Sequence, residues 1–257
     1  MPSPTPDKVT KLTAKRPSRR VRPSREKSLP LVERTNALTI EEFIRHYVEP
    51  STTTAAASNG TRPSSPSEVY SAASISRRNL EACLDLVEQT SGADYAASNM
   101  GWSRSKKRQE MQLPDMKFMI VRGNGTNTTA SSNSNDNDFD NDQPSATSKD
   151  APILGFLSFM VTYEDGKEVV YCYEIHLSPA ARGRGLGREL MERMEQIGRA
   201  VGVEKAMLTV FKSNDTACRF YDRLGYEVDE YSPQPRKLRN GTIKEADYLI
   251  LSKRLKE

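Results

Sequence analysis

The sequence predicts an α/β (α+β) fold, a mixed central sheet flanked by helices, and three observations carry that prediction. A strand, a Gly-rich turn and an amphipathic helix follow one another between Val169 and Val201. Two apolar segments before them, Met116 to Arg122 and Pro152 to Tyr163, suit antiparallel pairing with that strand, the second through the tight turn Glu164-Asp165-Gly166-Lys167. A strand, a short helix and two more strands close the chain, an order that mixes parallel and antiparallel neighbours.

Taken in order, the first 34 residues carry ten Lys or Arg against three acids, a net of +7 in a chain of +4, so the remaining body is mildly acidic at −3. With Pro2, Pro4, Pro6, Pro17, Pro23 and Pro30 among those charges, residues 1–34 are expected to be a disordered basic tail. It is either a solvated tail, a nuclear-import signal, or an arm that touches nucleic acid or ribosomal RNA. A single domain is expected over 35–254, with 255–257 as its C-terminal end. Three cysteines without a C-x-x-C pair and two histidines argue against a disulfide framework or a metal site, and point to the reducing nucleus and cytoplasm. No long apolar run marks a membrane span or signal peptide.

Thr39-Ile40-Glu41-Glu42 is a capping-box pattern opening a short helix to about Val48, and Pro50 ends it. Residues 51–68 read as a low-complexity insert. From Ser76 a helix has Leu80, Cys83, Leu84 and Val87 on one face, with Gly92 as its expected C′ residue. Trp102 stands before a charged helical stretch, Ser103 to Met111, where it serves either the core of a helix connection or a site. Residues 123–150 are almost all Asn, Ser, Thr, Asp and Gly, a second insert between neighbouring antiparallel strands and expected to be dispensable for folding. After the central helix come a strand at Lys205 to Phe211, a helix at Asn214 to Leu224 closed by Gly225, and a last strand pair at Tyr226 to Val228 and Tyr248 to Leu251.

The central unit is where chemistry is expected. Arg182-Gly183-Arg184-Gly185-Leu186-Gly187-Arg188 lies between an apolar strand ending at Leu177 and a helix with Leu190, Met191, Met194, Ile197 and Val201 on one face. Glycines let the backbone approach a ligand, the first-turn amides lack intrahelical partners, and the helix dipole adds positive charge, so the turn is an anion-binding device. Its spacing is neither that of a P-loop nor GxGxxG. On the RGRG tetrad alone, a flexible nucleic-acid segment is the alternative; the flanking periodicity argues against it.

Arg182, Gly185 and Gly187 resemble the Arg/Gln-x-x-Gly-x-Gly/Ala signature of the GCN5-related N-acetyltransferases (GNAT), and the element order is similar over that family's conserved length. Ser98-Asn99-Met100-Gly101-Trp102, Tyr171-Cys172-Tyr173-Glu174, Leu208 to Lys212 and Asp247 to Ser252 further resemble its histone-specific N-alpha-acetyltransferase branch, N-terminal acetyltransferase D. The match runs from about Ser76 to Arg254 and leaves out the tail and both inserts. The resemblance implies a sheet splayed between its fourth and fifth strands and acetyl-CoA as donor. It also implies an acceptor, the N-terminal serine amine of histones two-A and four, with Ser-Gly-Arg-Gly termini.

Acetyl transfer needs a neutral amine, whereas an α-amino group of pKa near ~8 is mostly protonated at neutral pH. Glu174, mid-strand among apolar neighbours, is the candidate general base, its pKa expected to be raised by burial; the alternative is a charge on a solvent face. Period-2 geometry sends Tyr173 and Glu174 to opposite faces, so a bulge is required if both serve the site. Past it, the backbone of Ile175, His176 and Leu177 is free for the donor's amides, and one N–H for developing negative charge. By resemblance, Gly183 to Arg188 hold the pyrophosphate, Thr209 and Asn214 touch the cofactor, and Tyr221 is either the acid for the leaving thiolate or a core residue. Tyr95, Trp102, Thr162, Tyr173, Ser232 and Tyr248 are the implied acceptor contacts, with Thr162 where the family has an acid. Acids at Glu227, Asp229, Glu230 and Asp247 are expected to complement the acceptor's cations. The implied partners are histone tails, with ribosome or nucleic acid through the basic tail, no membrane, no metal, and a monomer. A lysine or small-amine acetyltransferase is the nearest rival function, and a non-catalytic chromatin or ribosome adaptor the other.

Overall fold

The computed structural model describes residues 29–48, 67–123, 151–237 and 239–256. The tail up to residue 28 and the core of both inserts, 51–66 and 124–150, lie outside the described residues. Two expectations at their edges are corrected. Leu31–Asn36 (α1) is a helix that buries Val32 and Thr35, so the tail does not extend to 34. Ser67–Ser71 (β1) is a strand paired antiparallel with Lys117–Arg122 (β2), so folded chain resumes inside the supposed first insert.

The capping box forms as expected: the Thr39 hydroxyl accepts from the Glu42 amide and the Glu42 carboxylate accepts from the Thr39 amide, opening Ile40–Phe43 (α2). One π-helical turn, Ile44–Val48, follows. Ser76 caps Arg77–Ala97 (α3), which runs straight through Gly92 rather than ending there. Ser103 caps Arg104–Met111 (α4).

The sheet has the order β1-β2-β3-β4-β5-β9-β6, where β3 is Ile153–Glu164, β4 Lys167–Leu177, β5 Lys205–Phe211, β6 Glu227–Val228 and β9 Tyr248–Arg254. The unexpected β1 makes the central strand the fourth. All pairings are antiparallel except β4 with β5. A two-stranded ribbon, Arg236–Lys237 (β7) with Ile243–Lys244 (β8), stands apart from it and was not foreseen.

Each face of the sheet has its own core. Helix Leu186–Val201 (α5) buries Leu190, Met191, Met194 and Ile197 against Leu157, Phe159, Val170 and Leu208, together with Phe43 of α2. On the other face, α3 and α4 bury Leu84, Val87 and Met111 against Phe118, Ile120 and Phe156. Two glycines set how closely the layers approach. A Cβ on Gly198 of α5 would lie 2.6 Å from Leu255 and 2.8 Å from Val170, and one on Gly155 of β3 would lie 2.8 Å from the His176 carbonyl and closer still to Leu177.

Candidate active site

Two local irregularities in β4 create the site. The first is a β-bulge. Ser158 pairs with Glu174 and Phe159 with Cys172, which leaves Tyr173 unpaired. The extra residue reverses the alternation of faces: Val170 and Cys172 point into the α5 core, and so do Ile175 and Leu177, an odd number of residues further on. Tyr173 packs toward the α3/α4 core, and Glu174 joins it on that side by bonding to α3 and α4. The bulge required by the sequence reading is therefore present.

The second irregularity is the parting of β4 from β5. Their parallel register runs from Val169/Lys205 to Cys172/Leu208 and stops there. The backbone from Tyr173 to Leu177 loses its neighbour on that side, and a cleft of about 660 Å³ opens beside Ile175, His176 and Leu177. One side of the cleft is the Gly-rich turn. Gly183 and Gly185 have φ of 72° and 85°, a left-handed region that favours glycine. Gly185 is the N-cap of α5 and has no side chain to satisfy the first amides, so those of Leu186, Gly187 and Arg188 are free for an anion. Arg182, Arg188 and Asn214 line the same cleft. Asn214 Oδ1 also accepts from the Ala217 amide and caps Asp215–Arg223 (α6).

A smaller pocket of about 100 Å³ meets this cleft across Ile175, His176 and Tyr221, and is walled by Tyr95, Tyr173, Glu174, Thr209 and Phe211. The Tyr95 hydroxyl donates to Glu174 Oε1 at 2.7 Å, and its ring meets Phe211 edge-on at 5.1 Å. Thr209 and Tyr171 share a 2.6 Å hydroxyl contact at the pocket's edge.

Glu174 differs from expectation in its electrostatics. It is 5% exposed, with both oxygens engaged. Oε1 accepts from Lys107 Nζ at 2.7 Å as well as from Tyr95, and Oε2 lies 2.6 Å from His176 Nε2. Burial pushes the carboxyl up, but the contact and charge of His176, joined by the Lys107 ammonium, prevail and hold it well below the usual carboxylate range. The pKa is lowered, not raised. Lys107 is buried, and the carboxylates of Glu174 and Glu110 keep it charged despite the cost of burial. Lys107 escaped the sequence reading because it sits in the polar run from Ser103 to Glu110; its one signal is the i, i+4 spacing to Met111. Thr90, Ser91 and Asp94 of α3 also line the cofactor cleft unforeseen.

Several expected contacts are not brought together. Leu186 turns into the core, and Arg184 is exposed and does not line the cleft. Thr162 pairs with Val169, four residues before Tyr173 and outside both pockets. Ser232 is buried and its Oγ accepts from the Ile250 amide, which ties the connection after β6 to β9. Trp102 packs on Tyr95 at 5.6 Å and donates to Glu88, pinning the α3–α4 connection onto α3. Tyr248 pairs with Phe211 beside the smaller pocket without lining it. Asp229 is buried and paired with Lys205 at 2.5 Å, so it is not a free carboxylate, Asp247 accepts from the Asn99 amide at 2.7 Å and lines neither pocket, and Glu227 and Glu230 are exposed outside both pockets. Tyr221 is buried where the two pockets join, and burial raises its hydroxyl far above the ordinary tyrosine value.

Residues 124–226 match the family model described as Acetyltransferase (GNAT) family. The chain is similar to N-alpha-acetyltransferase 40 of Saccharomyces cerevisiae, 29% identical over 181 residues, covering 61% of this chain and 54% of that protein. An uncharacterised N-acetyltransferase of Bacillus subtilis is 28% identical over 75 residues, 29% of this chain and 48% of the relative. The chain thus spans about half the length of these curated relatives. Among solved structures, a PaiA N-acetyltransferase from Thermoplasma acidophilum in complex with coenzyme A superposes with a TM-score of 0.45 at 14% identity, over 74% of this chain and 99% of that one. The splayed β4/β5 pair and the glycine turn that follows it both lie within the segment that matches the GNAT acetyltransferase family model, so it is in this part of the chain that the similarity to these acetyltransferases resides.

Proposed function

We propose that the protein transfers acetyl from acetyl-CoA to the α-amine of a polypeptide N-terminus, with the Ser-Gly-Arg-Gly terminus of histones two-A and four as acceptor. One observation carries the reading: the bulge at Tyr173 turns Glu174 into the wall of a narrow aromatic pocket, which adjoins the larger cleft at Ile175, His176 and Tyr221. The likeness to an N-alpha-acetyltransferase supports a terminal amine over a lysine side chain.

Acetyl-CoA supplies the activated acetyl group when bound. The fit is that of an anion cradle: Gly183 and Gly185 leave open space where a Cβ would stand, the α5 amides with Arg182 and Arg188 would hold the diphosphate, and the unpaired edge of Ile175 to Leu177 would offer strand-like hydrogen bonds to the donor's amides. In the small pocket, Tyr95, Tyr173 and Phe211 fix the first residue of the acceptor, and Glu174 faces its ammonium and takes the proton. Tyr221 lies at the junction, its proton held firmly, a group able to protonate the departing sulfur. The acceptor is a histone tail reached in the nucleus or cytoplasm by a monomer, with the basic N-terminal segment as an auxiliary contact to nucleic acid or ribosome.

The test is incubation with acetyl-CoA and a Ser-Gly-Arg-Gly peptide, free or N-blocked. Acetylation of the free peptide alone is expected; modification of the blocked peptide at a lysine would overturn the assignment.

A further inference from the structure

Among the described residues, the β7–β8 ribbon contributes nothing to either core and hydrogen-bonds to no strand of the main sheet. From Pro233 to Lys244 the chain carries Arg236, Lys237, Arg239 and Lys244 and no acid, a charge of +4 inside a body whose net is −3. All four are exposed, and none of their side chains meets a partner among the described residues. Glu245, the next acid along, lies 3.5 Å from Lys212 instead. Register makes this costly. Arg236 stands directly opposite Lys244, and Lys237 opposite Ile243. Like charges facing each other across a ribbon repel, and an isolated two-stranded ribbon is only marginally stable. What holds it is the turn, where Asn240 Oδ1 accepts from the Thr242 amide at 3.0 Å and Gly241 takes φ of 85°. A ribbon that served only to connect β6 with β9 would be better with an acid at position 236 or 244.

Alternation along each strand puts Arg236 and Lys244 on one face and Lys237 on the other, with Arg239 in the connection between them. Cations on both faces suit an anion that rises on both sides. A bilayer surface or a single nucleic-acid strand meets one face only, and a cationic peptide such as a histone terminus would be repelled. The major groove of B-form DNA, about 12 Å wide, admits a two-stranded ribbon, whose strands lie about 4.8 Å apart, between two rows of phosphates. The deep, narrow groove of duplex RNA does not.

We propose that the β7–β8 ribbon binds duplex DNA, with Arg236, Lys237, Arg239 and Lys244 meeting phosphates on both walls of the major groove. The surface is separate in the chain from the basic N-terminal segment and independent of the acetyl-transfer reading. Tyr248 pairs with Phe211, which walls the smaller pocket, and Lys244 is four residues from Tyr248, at most about 14 Å of chain. Bound DNA would therefore lie near that pocket.

The test is fluorescence anisotropy of a short labelled DNA duplex with the full-length protein over a range of salt. Wild type is expected to bind with an affinity that falls steeply as salt rises. Each ribbon cation replaced by Gln should lessen the slope of log affinity against log salt by about 0.9, and replacing all four should weaken binding by about 10-fold or more at low salt. Arg236→Glu separates binding from folding. Facing Lys244 with opposite charge, it should leave the thermal midpoint level or raise it, yet weaken DNA binding at least as much as Arg236→Gln. No binding by the wild type at low salt, or affinity and slope unchanged in the fourfold variant, would overturn the proposal, whether or not Arg19→Gln and Arg20→Gln in the tail lose binding. Equal binding of duplex RNA or of phosphatidylserine vesicles through the same four residues would refute the choice of DNA. Failure to acetylate the free peptide leaves the result untouched, because no acetyl group enters the measurement.

Discussion

Glu174 shows how much of a residue's chemistry is set by what folding brings beside it. Its strand neighbours are apolar, and burial alone would push its carboxyl up; His176, and with it Lys107 from 67 positions away, reverse the sign. Glu174→Gln should lower turnover by about 10²-fold or more while acetyl-CoA binding, measured by calorimetry, is kept. Lys107→Met leaves a buried carboxylate with one fewer cation. It should cost roughly 3–5 kcal/mol in urea unfolding at neutral pH. The pH sign follows from the carboxyl moving from 4.5 down to about 2 on folding. The stability contributed is complete above the unfolded value and drains as pH falls from about 4.5 toward about 2. Urea midpoints measured across that window should fall more steeply for the wild type than for Glu174→Gln; parallel curves would show that Glu174 does not drive the loss.

At the scale of elements, the turn and the bulge divide the work. The turn was legible because glycine spacing is a local property, and the positive φ at Gly183 and Gly185 is the reason for two of those glycines. Gly185→Ala, at φ 85° and at the mouth of the anion cradle, should cost roughly 1 kcal/mol of stability and weaken acetyl-CoA binding several-fold. Gly155 was passed over, as one more residue in an apolar strand. A Cβ there meets the backbone carbonyl of His176, which cannot move without displacing β4 at the site. Gly155→Ala should therefore destabilise by about 1–3 kcal/mol, read as a lower thermal midpoint, and reduce kcat as well. A silent substitution would mean that β3 and β4 can separate there freely.

For the whole molecule, the two cores on opposite faces of one sheet explain why β2 and β3 remain neighbours although 30 residues, most of them polar, separate them in sequence. Loop closure grows only with the logarithm of loop length, so replacing residues 124–150 with a short Gly/Ser linker should change stability by no more than about 1–2 kcal/mol. Differential scanning calorimetry of the shortened chain checks this, and a loss of cooperative unfolding would show that the segment contributes to the core.

By itself the sequence determined the central strand, the glycine turn, the amphipathic helix and the order of elements around them. Each of these is a matter of period, capping or backbone freedom over a few consecutive residues. It also pointed to Tyr173 and Glu174 and to the kink they require. The short edge strand β1 had too few residues to show a period, and its pairing with β2 is what stabilises it. Only the tertiary structure decided which acids are free, which face Thr162 and Ser232 serve, and that Lys107, Tyr95 and His176 converge on one carboxylate. Those facts depend on groups far apart in the chain, and the charge state of a buried group is set by its neighbours in space, which no local pattern of residues encodes.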